Sequence, residues 1–526
     1  MRRTILGLWL FVFATVSLIG TAHEWSGTTR AAVSRARDWI STGSPPSRES
    51  GRLLALVHVP GIVLSDRILG EAASEADRDL RSAALTDAAV VASIAALILA
   101  GGVAMNFSIR ASLRAALIGT LAGPLLLGSR LDGVDVLEAL LLAAATACLI
   151  RAIRSSTTVP QLGAGAFAAL LLGVRLSDAF LVIWVLAFVA STSWSGADRV
   201  RGFASFLASF APLAVAMSLA GLAAPWSFQD LWSLPPPRMI GLVLLSPSFG
   251  LAMAWPAFLV SCLVLPRFAF ARRAEAALIG GLCLSLVIRS LAGWDLAALA
   301  WGPPHLLAAV PLLSWALLPL FAERAGRLGS ASFRAVLFVG VAVQMLPVAY
   351  GFRSHVLPVW QRVDPEAWQT RIDDPAVAPA RISWSWTRAG FGIGSGSDLV
   401  STATLARTPD GAPPWTPDLW APRALVASVA SAGATARALV LSLLAVALGG
   451  AALLRRKAPA PAEPPSGPIR SAAWPVLDST MPPRKSAARP GAGEAPTRDW
   501  KIHYGVNGLR SRQRPEGEDD RSESSS

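Results

Sequence analysis

Apolar runs long enough to cross a bilayer recur along this chain, and no other feature constrains its fold as tightly. The first runs from Thr4 to Ala22, and further candidates fall at about 84–105, 115–129, 133–150, 160–174, 178–193, 203–223, 239–265, 274–292, 305–321, 335–351 and 432–454. At a rise of ~1.5 Å per residue, most of these match a hydrocarbon core roughly 30 Å thick. A backbone in lipid must satisfy its own hydrogen bonds, so only helices or a closed barrel fit there. A barrel would display short alternating segments, which this sequence lacks. The fold class is therefore all-α: a polytopic membrane protein of about twelve transmembrane helices.

Only 15% of the residues are charged, well below the usual quarter of a soluble domain, which excludes a water-soluble globule. The net charge of +13 would otherwise raise nucleic-acid binding. The basic residues instead sit in short loops between apolar runs, so membrane lipid is the expected partner and nucleic acid is not. Cys148, Cys262 and Cys283 all lie inside apolar blocks and read as small core residues rather than disulfides or metal ligands.

Loop charge supplies orientation independently of the span count. With the N-terminus inside, the inner loops carry Arg110 and Arg114, Arg151 and Arg154, Arg199 and Arg201, then Arg267, Arg272 and Arg273, Arg324, Arg327 and Arg334, and finally Arg455, Arg456 and Lys457. The short outer loops mostly hold one arginine each: Arg130, Arg175 and Arg238. This alternation predicts cytoplasmic termini. Arg2 and Arg3 precede the first run, but no small-x-small cleavage site follows, so it reads as an uncleaved span rather than a signal peptide.

Four regions follow from this frame. Residues 1–351 form the multi-span domain, with a first outer loop over 23–83. Within that loop, the apolar stretch from Leu53 to Leu69 is broken by Pro60 and is expected as interfacial helices. Residues 352–422 form a Trp-rich extracytoplasmic segment, and 423–457 hold the last span. Its tryptophans either anchor at the bilayer interface or stack on sugar rings. Residues 458–526 are a Pro-, Ser- and Arg-rich tail, expected to be disordered in the cytoplasm.

No P-loop, HExxH, CxxC pair or GxSxG is present, which argues against an ATP-driven pump or a hydrolase of those kinds. Gly392-Ile393-Gly394-Ser395-Gly396 lacks a strand before it and a helix after it, and reads as a loop. What remains lies at the outer ends of spans. One stretch is Ser246-Pro247-Ser248-Phe249-Gly250-Leu251, followed by Trp255-Pro256. Another is Gly302-Pro303-Pro304-His305-Leu306-Leu307, running on to Leu313, and a third is the charged hinge Gly173-Val174-Arg175-Leu176-Ser177-Asp178. Charges near membrane depth are costly, which singles out Arg175, Asp178 and Arg289.

These stretches, and the order of one span, a large outer loop and many further spans, resemble the bacterial GT-C class of polytopic glycosyltransferases. Those are related to the dolichyl-phosphate-mannose-protein mannosyltransferases (glycosyltransferase family 39). The resemblance covers roughly residues 1–455 through short, degenerate motifs. It implies transfer of a sugar from a polyprenyl-phosphate carrier, the lipid-linked donor, to an acceptor at the outer face of a bacterial inner membrane. No metal ligand set and no other cofactor is implied. An acidic residue of the first outer loop would act as base, and cationic groups would hold the carrier phosphate.

The chain departs from that pattern at two places. The spot expected to hold the family's aspartate falls near Thr28, leaving Glu24 and Asp38 as candidate catalytic acids. An arginine expected before the Leu-Leu stretch is replaced by Pro304, leaving His305, with Arg175 and Asp178, as candidate carrier-phosphate or substrate-binding residues. Two other classes stay open: a GT-C-shaped envelope-assembly protein that has lost catalysis, and a transporter or flippase.

Overall fold

The computed structural model describes residues 1–19, 27–44, 52–70, 74–130, 133–155, 157–175, 178–191, 196–220, 222, 238–245, 250–292, 306–322, 326–349 and 431–455. Contacts divide the chain into Met1–Pro459 and Ala460–Ser526, and every described residue lies in the first unit. Glu24, His305, the Trp-rich segment 352–422 and the tail 458–526 fall outside the described residues.

Among the described residues the regular structure is entirely helical: α1 (Arg2–Ile19), α2 (Gly27–Thr42), α3 (Arg52–Leu69), α4 (Glu75–Ala104), α5 (Ile109–Thr120), α6 (Gly133–Arg154), α7 (Val159–Val174), α8 (Ala179–Ser191) and α9 (Gly196–Leu219). After these come α10 (Arg238–Leu245), α11 (Leu251–Ala254), α12 (Ala257–Ala271), α13 (Arg273–Ala292), α14 (Ala309–Ala316), α15 (Leu318–Phe321), α16 (Gly326–Ala349) and α17 (Ser431–Arg455). Among the described residues, four helices are long and apolar enough to cross a membrane: α1, α4, α6 and α9 from Val200 onward. Shorter apolar stretches lie in α7, α8, α12, α16 and α17. Large apolar side chains such as Ile183, Leu263, Phe270, Phe338 and Leu448 are exposed, as a lipid-facing surface requires. The chain is a membrane-embedded helical protein.

Local sequence sets the boundaries. Ser74 caps α4, its hydroxyl accepting from the Asp77 amide, while Glu75 and Asp77 place negative charge in the positive first turn. At the far end Asn106 takes a positive φ of 63°, a conformation asparagine tolerates, and the chain turns into α5, capped by Ser108. Proline breaks three of the expected spans. The run 115–129 is α5 followed by a 3-10 stretch from Pro124 to Arg130. The run 239–265 is divided among α10, α11 and the first part of α12, with Pro256 between the last two. The run 305–321 contains α14 and α15, with Pro319 in the first turn of α15. Each ring removes an amide from the helix ladder and clashes with the preceding turn, so a run legible as one span folds as pieces. By contrast, the expected break in the first loop is absent, because α3 runs straight through Pro60.

Small residues let these helices approach. A Cβ on Gly7 would lie 2.8 Å from Leu453 Cβ, and one on Gly450 would lie 2.7 Å from the Gly7 carbonyl, so α1 and α17 cross backbone to backbone. Trp315 of α14 lies against Gly101 of α4 and donates its indole N–H to the Ile98 carbonyl at 2.9 Å.

Candidate functional site

Two helices of the first loop lie over one end of the bundle. On α3, Arg52 donates to the Ala220 carbonyl just beyond the end of α9, at 2.7 Å. A Cβ on Gly173, near the end of α7, would come within 3.3 Å of Leu53. A Cβ on Gly133, the first residue of α6, would lie 3.1 Å from Thr29 Oγ1, 3.5 Å from Leu54 and 3.7 Å from His58 Nε2. Further along, Gly61 of α3 rests on α4, where an added Cβ would collide with Thr86 Oγ1 and come 2.7 Å from the Ser82 carbonyl. Thus α3 crosses the ends of α6, α7 and α9 and the side of α4. On α2, buried Thr29 accepts the Gly133 amide at 3.0 Å, capping α6 from another helix. Arg37 of α2 pairs with Asp66 of α3 at 3.2 Å and with Asp79 of α4, locking these helices together.

Directly beneath this cover lies a buried charge cluster. Asp135 and Glu138 stand one turn apart at the start of α6, 3% and 1% exposed. Arg175 follows α7, its amide closing on Leu171, and the Asp178 amide then donates to the Arg175 carbonyl at 3.2 Å, which sets Asp178 at the threshold of α8. Arg289 comes from the last turn of α13. Arg175 Nη1 is 2.5 Å from Asp135 and 3.4 Å from Glu138, while Arg289 Nη1 is 2.7 Å from Glu138 and also bonds Asp178. Glu138 therefore bridges two guanidiniums. Three carboxylates and two guanidiniums, from α6, α13 and the turn between α7 and α8, meet here, all of them buried except the partly exposed Arg175.

Of the residues singled out from sequence, the structure brings Arg175, Asp178 and Arg289 together. Asp38 stays apart: it is exposed on α2, where its carbonyl accepts the hydroxyls of Ser41 and Thr42. Sequence reading missed Asp135 and Glu138, whose i, i+3 spacing at the start of an apolar run was the available signal. The cluster's carboxylates face guanidiniums, and among the described residues no group of three or more His, Cys, Asp or Glu is placed to hold a metal ion.

No family model and no curated protein matches the chain. Among solved structures, the crystal structure of ArnT from Cupriavidus metallidurans in the apo state is similar at 14% identity, covering 84% of this chain and 75% of that one with a TM-score of 0.41. A likeness at that score decides neither the fold family nor the activity.

Proposed function

We propose that this chain is a GT-C-type membrane glycosyltransferase, working at the end of the bundle that α2 and α3 cover. One observation carries the reading: the buried cluster of Asp135, Glu138, Arg175, Asp178 and Arg289 lies under the first-loop helices. Ionisable residues buried inside a membrane protein are costly and usually have a task. In the reaction, the acceptor hydroxyl loses its proton to a carboxylate and forms the new bond to the sugar's anomeric carbon. The bond from that carbon to the carrier phosphate breaks, and the polyprenyl phosphate leaves with its electrons. Arg175, with 22% of its side chain exposed against 4% for Arg289, is the cation with access to the leaving phosphate. Arg289 holds Glu138 and Asp178 in place, Glu24 takes the proton, and His305 is a second phosphate contact.

The test is sugar transfer from polyprenyl-phosphate sugars in proteoliposomes. Wild type transfers; Arg175→Ala and Glu24→Gln each lose about 100-fold or more, whereas Asp38→Asn, apart from the cluster, keeps its activity. An inactive wild type, or activity indifferent to both Arg175→Ala and Glu24→Gln, overturns the reading. A second reading draws on the pairing itself: both guanidiniums already face carboxylates, as in a scaffold. A GT-C-shaped envelope-assembly protein without catalysis would keep that network and show no transfer.

A further inference from the structure

At the opposite end of the bundle the charge balance is reversed. The start of α5, the end of α6 and the junction of α12 and α13 bring Arg110, Arg151, Arg154, Arg267, Arg272 and Arg273 to one end. Among the described residues of those four helices, the only carboxylate at this end is Glu275. Glu275 is buried and already taken by Arg154, whose Nε donates to it at 3.0 Å. One carboxylate against these six arginines leaves the end positive, and α13 adds the positive end of its dipole beside Arg272 and Arg273.

One of these cations is held in place rather than waving in solvent. The Arg272 guanidinium stacks over the Phe107 ring, 5.6 Å from its centroid, and its Nε is buried with no hydrogen-bond partner among the described residues. Burial lowers the Arg272 pKa from its ordinary value, and the charge of Arg154 lowers it further, with Glu275 offsetting only part. Arg154, Arg272 and Arg273 share this end with one buried carboxylate, Glu275, which leaves a positive excess that an anion at the bilayer surface would offset.

We propose that the face formed by Arg154, Arg272 and Arg273 between α6 and α13 binds the phosphodiester headgroup of an anionic phospholipid. The occupant is a lipid because the arginines stand at helix ends, among exposed apolar side chains such as Phe270 and Leu263 of α12 that acyl chains would cover. The site is independent of sugar transfer and lies at the other end of the bundle from the proposed chemistry.

Native mass spectrometry tests this on the full chain, released from nanodiscs that contain equal amounts of phosphatidylglycerol and phosphatidylcholine. Wild type is expected to retain phosphatidylglycerol with a preference of about tenfold. The double variant Arg272→Gln/Arg273→Gln is expected to lose that preference while keeping its melting temperature in pure phosphatidylcholine. Arg67→Gln, an exposed change on α3 at the opposite end, is expected to leave the preference intact. Because wild type alone carries a prediction, a double variant that fails to fold does not rescue the proposal. It is overturned by a wild type without preference, by equal losses in the Arg67 variant, or by millimolar inorganic phosphate displacing the lipid.

Discussion

Glu138, 1% exposed, shares two guanidiniums inside the helix bundle. Removing one partner of a buried pair leaves an uncompensated charge, a loss of about 3–5 kcal/mol. Arg289→Ala leaves Glu138 with Arg175 alone and takes the bonded guanidinium from Asp178, so it should lower stability in detergent by that amount, measured by chemical unfolding. Adding Asp178→Asn should recover part of the loss; strictly additive effects would mean that the pair is not coupled. His58 allows a pH test at the same scale. Burial alone depresses its pKa from 6.5 to about 4, and neither ring nitrogen has a hydrogen-bond partner among the described residues. The folded chain therefore holds His58 neutral while the unfolded chain protonates first. Stability is full above pH ~6.5, falls as pH drops towards 4, and is level below that, losing about 3 kcal/mol in all. His58→Leu should flatten that part of the pH–stability curve, and an unchanged slope would refute the assignment. Arg175 and Asp178 were legible in the sequence because a charge amid apolar residues is conspicuous. Asp135 and Glu138 were not, because they were absorbed into the run at 133–150. Their convergence with Arg289, more than a hundred residues further along, is a property of packing that local pattern does not carry.

Among the elements, α3 decides how the first loop meets the bundle. Its three charged residues keep it out of the class of spanning helices, yet eight of its residues are buried. The sequence showed this element as an interrupted apolar stretch, and Pro60 looked like its break. A single proline in a helix costs one amide bond and some bending, and packing against α4 and α6 outweighs that. At Gly61, next to the proline, α3 and α4 come too close to leave room for a side chain. Gly61→Leu should push α3 off α4 at a cost of about 1–3 kcal/mol. Limited proteolysis would then cut the first loop faster, whereas Gly43→Ala, at a positive φ with no neighbour within 4 Å, should leave docking unchanged. Equal cleavage of wild type and the Gly61 variant would show that α3 is not held by this crossing. Prolines set the other limit on legibility. Hydropathy marks where apolar chain lies, but Pro124, Pro256 and Pro319 decide where a helix can continue, and a smooth average passes over them.

At the scale of the whole molecule, the two ends of the bundle differ in kind. One end is covered by α2 and α3 and holds carboxylates paired with guanidiniums, while the other exposes unbalanced arginines. Arginine-rich ends stay on the side from which a chain inserts, because moving them across the hydrocarbon costs several kcal/mol each. The covered end should therefore face away from the cytoplasm. Ser74, exposed at the start of α4, lies at the covered end, and exposed Thr157, between α6 and α7, lies at the other. With the three native cysteines replaced by alanine, a membrane-impermeant maleimide should label Ser74→Cys in intact spheroplasts and reach Thr157→Cys only after permeabilisation. The reverse pattern would place the charge cluster on the cytoplasmic side, where an extracytoplasmic acceptor could not reach it. Labelling of both sites without permeabilisation would mean that the crossings made by α4, α5 and α6, which lie between the two positions, are mistaken. The result bears on the chemistry directly, because a transferase that uses a carrier in the membrane must open to the side on which its acceptor waits.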